Sequence, residues 1–86
     1  MRIINYKGRE IEITPISFYY QEETELQEGV LVHDSQDALC DGDAIYGNGW
    51  MADSIQDESD LENLFTSGDG TTYWHKNADG TYTIDA

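Results

Sequence analysis

The chain has 86 residues and a formal net charge of -14, from 18 Asp and Glu against 4 Lys and Arg. That length gives a single domain, residues 1–86, with a modest core. The charge excludes a protein that grips nucleic acid or anionic lipid with its own surface, because both would repel it. Low hydropathy with high net charge is the signature of disorder, but 12% aromatic residues and a single proline describe a chain that folds.

The first third reads as β-structure. Ile3, Ile4 and Tyr6 precede Lys7-Gly8, and Glu10-Ile11-Glu12-Ile13 alternates polar with apolar, which predicts two strands joined by a tight turn. Pro15 is expected to end the alternation or to mark an edge or bulge. A resumed strand over Ile16 to Tyr20 puts Ile16, Phe18 and Tyr20 on one face and Ser17 and Tyr19 on the other. Gln21 to Glu28 is compatible with a helical turn, a loop or an acidic strand edge, and Gly29 breaks it. Val30-Leu31-Val32 is a short buried strand. Asp34 or Ser35 can cap a helical turn through Ala38, Leu39 and Cys40, with Gly42 as its stop. Asp43 to Tyr46 reads as another short strand, and Gly47-Asn48-Gly49 as a turn. The best helix candidate starts at Asp53 or Ser54. Its stripe is Leu61, Leu64 and Phe65, and it stops at Gly68. Thr72 to Lys76 and Thr81 to Ile84, flanking Asn77-Ala78-Asp79-Gly80, predict a closing hairpin. The expected fold is a small α+β domain. N-terminal and C-terminal β-hairpins and one or two short helices pack on an antiparallel sheet.

No catalytic motif stands out. The chain has no nucleophile elbow, no phosphate-binding loop and no dinucleotide fingerprint. His33 and His75 are the only imidazoles and fit exposed or hydrogen-bonded positions near strand ends. Cys40 is the single cysteine, so no internal disulfide is possible, and its neighbour Asp41 does not favour a reactive thiolate. Asp34, Asp37, Asp41 and Asp43 have the oxygen density that suits calcium. The calcium-loop pattern fails, because Ile45 falls at the fifth position counted from Asp41 and the required Gly is missing. The expectation is a protein that is not an enzyme and holds no metal and no cofactor.

The charge is segregated. Arg2, Lys7, Arg9 and Lys76 lie near the two ends, and every one of the 18 carboxylates except Asp79 and Asp85 falls between Glu10 and His75. Soluble domains ordinarily interleave both signs, because one-signed charge on a compact body repels itself. The pattern points to a strongly basic partner. Duplex DNA carries one negative charge per ~1.7 Å of axis, and proteins that grip it line their grooves with lysine and arginine. A small rigid body with spaced carboxylates can occupy such a groove. The candidate contacts are Glu22, Glu23, Glu25 and Glu28 in one group, Asp34, Asp37, Asp41 and Asp43 in a second, and Asp57, Glu58, Asp60 and Glu62 on the proposed helix. Tyr19, facing away from the core, and Trp50, beside the glycine turn, are the candidate apolar anchors, although Trp50 also suits a core position.

In these features the chain resembles the small acidic proteins that phages use against bacterial defences: DNA-mimicking anti-restriction proteins, uracil-DNA glycosylase inhibitors and anti-CRISPR proteins. The resemblance is one of size, charge and the absence of catalytic motifs, and it carries no residue over. It implies a stoichiometric inhibitor that blocks a basic nucleic-acid-binding protein or complex. Such an inhibitor would act in the cytoplasm, the host's for a phage-encoded member, without itself binding nucleic acid or membrane. An immunity protein or antitoxin capping a basic nuclease would use the same electrostatics, and an acidic halophile-type or calcium-binding housekeeping domain would share the composition. Like charge favours a monomer, while exposed β-edges leave a homodimer open.

Overall fold

The computed structural model describes residues 1–34 and 43–85, and the N-terminal hairpin forms as its sequence predicts. β1 (Arg2–Tyr6) and β2 (Arg9–Tyr20) pair antiparallel with Tyr6 opposite Arg9. Both turn residues have positive φ, 52° at Lys7 and 83° at Gly8. This is the turn whose twist matches that of the flanking strands, and Gly at its second position makes it inexpensive. The chain continues through β3 (Gln27–Asp34), β4 (Ala44–Tyr46), a 3-10 turn (Ala52–Ser54), α1 (Glu58–Ser67), β5 (Gly70–Thr71), β6 (Trp74–Lys76) and β7 (Tyr82–Ile84).

The sheet order is β5-β4-β3-β2-β7-β6, with β1 also paired to β2. β2 and β7 run parallel, with Phe18 opposite Tyr82 and Tyr20 opposite Ile84. The sheet is therefore mixed, which corrects the expected antiparallel one. The terminal hairpins are not independent units, because both attach to the same flank of β2. β1 covers that flank as far as Ile13 and β7 covers it from Phe18.

β2 also runs its full 12 residues through Pro15, which does not end it. Proline removes a ladder donor and is tolerated where that donor has no strand partner. Pro15 sits opposite Val30 of β3, in the interval that neither β1 nor β7 covers. The interval left between β1 and β7 is thus a consequence of the sequence.

Strand β2 changes its buried face along its length. Ile11 and Ile13 join Ile4, Val30, Leu61 and Leu64 in a core beneath α1 and the 3-10 turn. Phe18 instead lies on the opposite face with Ile45 and Ile84, where Ile16, Tyr20 and Trp74 pack against it. The predicted grouping of Ile16, Phe18 and Tyr20 is therefore present, on the second face.

Asp53 and Ser54 do not start the helix; they belong to the 3-10 turn, and Asp57 is the N-cap of α1. Its carboxylate accepts the Asp60 N–H at 3.0 Å, while Asp60 Oδ2 accepts the Gln56 N–H at 2.8 Å. The first bond satisfies a donor the first helical turn leaves open, the second ties the residue before the cap to the same turn, and together they fix the start there. Leu61 and Leu64 are fully buried, and the Phe65 and Tyr6 rings pack in a T-shaped pair with centroids 5.2 Å apart. Gln21 to Glu28 divides between a turn, with Glu22 at φ 66°, and the start of β3. The closing hairpin is shorter than predicted, but Asn77 N–H still donates to Thr81 C=O at 2.8 Å across its turn. The helical turn expected over Ala38 to Cys40 lies outside the described residues.

Candidate functional site

All four cations are engaged by the body of the domain. Lys7 Nζ is 3.7 Å from Glu62 Oε2 and lies over the Tyr6 ring. Arg9 is 3.6 Å from Asp34, Arg2 donates to the Ala52 carbonyl, and Lys76 lies 5.8 Å above the Tyr82 ring. Among the described residues, none of them pairs with Glu22, Glu23, Glu25, Glu28, Asp53 or Asp79.

The predicted acidic groups separate into structural and exposed members. Asp34 was expected at the surface and is buried instead, at 3% exposure, because it faces inward from β3 toward Arg9. Asp43 hydrogen-bonds His33, whose other ring nitrogen lies 3.5 Å from Glu12. Asp37 and Asp41 lie outside the described residues. On the helix, Asp57 and Asp60 are occupied by capping, and Glu62 accepts the Tyr6 hydroxyl. These carboxylates hold the fold, so the expected free acidic helix face is reduced to Glu58. Glu22, Glu23, Glu25 and Glu28 are all exposed, and their group survives intact.

Among the described residues, the last hairpin borders concavities of different size. The larger, about 730 Å³, lies along Thr14 to Ser17 of β2 and is lined further by Glu28, Met51, Asp53, Asp79 and Tyr82. The smaller, about 400 Å³, holds Tyr19 and Tyr20 with Glu22 and Glu23. Tyr19 thus stands half-buried beside two exposed carboxylates. Trp50 is half-buried against the core beneath α1.

The sequence reading missed Asp53 and Asp79. Asp79-Gly80 reads as a turn, and nothing local indicates that the turn closes one end of a cleft. Asp79 accepts bonds from the Thr81 hydroxyl at 2.6 Å and the Thr81 N–H at 3.0 Å. These bonds hold its carboxyl below the ordinary range and keep it anionic. Near the helix, the hydroxyl of Tyr6 is pushed above its usual pKa chiefly by its bond to Glu62, and Lys7 is raised by Tyr6 and then Glu62.

No grouping of three or more His, Cys, Asp or Glu among the described residues is arranged to hold a metal ion. No helix among the described residues is long and apolar enough to cross a membrane. Comparison with protein-family models, with curated proteins and with solved structures returned no match. Fold and site together define a small acidic α+β domain whose described residues form a mixed sheet, one α-helix and an acid-lined cleft beside the last hairpin.

Proposed function

We propose that this protein is a stoichiometric inhibitor. Its carboxylate-rich surface would occupy the nucleic-acid-binding groove of a basic host-defence protein or complex, in the manner of an anti-CRISPR or DNA mimic. The observation that carries this reading is the division of the charges. The domain uses its few cations, and the carboxylates of Asp34, Asp57, Asp60 and Glu62, for its own fold. It leaves Glu22, Glu23, Glu25 and Glu28 exposed on one connection and the start of the strand that follows. A contiguous anionic segment held between two paired strands is what a lysine- and arginine-lined groove attracts, and opposite fields speed such an encounter. Tyr19, beside Glu22 and Glu23, supplies an aromatic contact of the kind that concentrates binding energy.

The test is affinity capture from bacterial lysate at low salt, followed by competition. The reading expects a captured basic protein that normally holds DNA or RNA and is displaced from this domain by that nucleic acid. Capture of partners that bind equally well with their nucleic acid in place would overturn it.

A further inference from the structure

The interval on the flank of β2 between Ile13 and Phe18 is an unfilled place in the sheet. We propose that it receives an extended, lysine- or arginine-bearing segment of a partner protein as an added strand. The inference rests on the reading that the partner is basic, and not on occupancy of a nucleic-acid groove.

The argument begins at Pro15. Proline has no N–H, so its pair with Val30 is of the kind that exchanges no hydrogen bonds. Alternation along an antiparallel ladder then makes Thr14 and Ile16 the residues that bond to β3. The backbone groups of Pro15 and Ser17 point to the opposite flank. There β1 has ended, its Arg2 lying opposite Ile13, and β7 begins only at Phe18. In the parallel pairing, the Ser17 carbonyl falls to Tyr82 at the start of β7. The Pro15 carbonyl and the Ser17 N–H remain without a strand partner, and they form one acceptor and one donor of an open ladder position.

The surroundings match a basic strand. At ~3.4 Å per residue, Thr14 to Ser17 present about 13 Å of edge. The cleft of about 730 Å³ along this edge accommodates a short run of extended chain. Its apolar lining comes from Ile16, Met51 and Tyr82. Its charged lining among the described residues is Glu28, Asp53 and Asp79, with Arg2 tied to the Ala52 carbonyl at one end. An added strand alternates its side chains, so apolar residues on one face and Lys or Arg on the other satisfy both linings. A second copy of this chain would bring its own exposed carboxylates to the same acids, so charge disfavours it as the occupant.

The experiment titrates the whole protein with a terminally blocked hexapeptide of alternating valine and lysine and follows backbone amides by NMR. Two further peptides carry N-methyl groups on alternate amides, in one phase or the other, which removes hydrogen bonds from one edge only. The expected result is a shift and slowed exchange at the Ser17 N–H. One methylation phase should bind roughly tenfold more weakly, and the other should bind much as the parent does. Substitution of Asp53→Asn with Asp79→Asn should weaken the parent peptide by a similar factor, while amide shift changes in the free protein stay confined to the 3-10 turn and the last hairpin. Equal binding by both methylated peptides, or shifts confined to Glu22 and Glu23, would overturn the strand-addition proposal and leave the acidic-inhibitor reading standing. A concentration-dependent dimer that protects Ser17 without peptide would also overturn it. A partner captured from lysate that fails to compete with nucleic acid bears on the inhibitor reading alone.

Discussion

The guanidinium of Arg9 lies 3.6 Å from the carboxylate of Asp34, whose side chain is 2% exposed, across the paired strands β2 and β3. This pair places the one buried carboxylate among the described residues inside the domain, and it ties the N-terminal hairpin to the next strand. Removing Arg9 weakens the compensation of a buried charge, whereas removing both members leaves no such charge. Arg9→Gln should therefore destabilise the fold by about 1–3 kcal/mol, discounted because Arg9 is itself partly solvated. The Arg9→Gln, Asp34→Asn double variant should lose less than the sum of the single losses. Urea unfolding of the four proteins of this cycle checks it, and strict additivity would show that the two groups do not interact.

The Tyr6, Lys7 and Glu62 cluster predicts an alkaline transition. Tyr6 and Lys7 are raised above their ordinary values of 10.0 and 10.5. A raised group contributes stability in full below its unfolded pKa and loses it as pH rises through the folded value. Stability should therefore fall above about pH 10 as the phenol ionises and the ammonium discharges. Glu62→Gln should bring the Tyr6 titration back toward 10.0 in an ultraviolet phenolate titration. An unchanged titration would remove Glu62 as the cause.

Asp79 gives the opposite sign. Its pKa is held below the ordinary 3.8 by the Thr81 hydroxyl and then the Thr81 N–H. A lowered carboxyl contributes stability above the unfolded pKa, and the contribution disappears as pH falls through the lowered value. Thr81→Val removes the hydroxyl and keeps the N–H, so the Asp79 carboxyl should titrate closer to 3.8 in an NMR pH series. An unaltered titration would assign the shift to something other than Thr81.

Gly29 is a packing requirement of the second core. A β-carbon there would stand 2.7 Å from the Tyr46 carbonyl oxygen and 2.8 Å from Phe18 Cε1. The carbonyl belongs to the sheet and cannot move away cheaply. Gly29→Ala should cost about 1–3 kcal/mol through overpacking, measured by chemical denaturation. A neutral effect would mean that Phe18 has room to shift.

Much of this fold is legible where local chemistry decides it. The Lys7-Gly8 turn, the alternation at Ile11 and Ile13, the apolar run Val30 to Val32 and the stripe of Leu61, Leu64 and Phe65 each state their element in the sequence. The parallel pairing of β2 with β7 joins Phe18 to Tyr82, and no local signal reports a partner so distant in the chain. Pro15 reads as a strand breaker because its tolerance depends on what lies beside it, namely the interval between two other strands. The same holds for the carboxylates. Exposure of Glu22 to Glu28 follows from a polar, unpatterned segment, whereas the burial of Asp34 and the capping role of Asp57 depend on Arg9 and Asp60 being in place. Asp53 and Asp79 meet at one cleft only because the 3-10 turn and the last hairpin converge on β2.

The most direct measurement is the salt dependence of binding to the captured basic partner, for the native protein and for a variant with Glu22, Glu23, Glu25 and Glu28 all changed to Gln. These four side chains are exposed and hold no described part of the fold together, so the variant should unfold at the same or a higher denaturant concentration. The account predicts an affinity that falls steeply with salt for the native protein, and a weaker affinity with a flatter slope for the variant. Identical affinity and slope for the two proteins would contradict it.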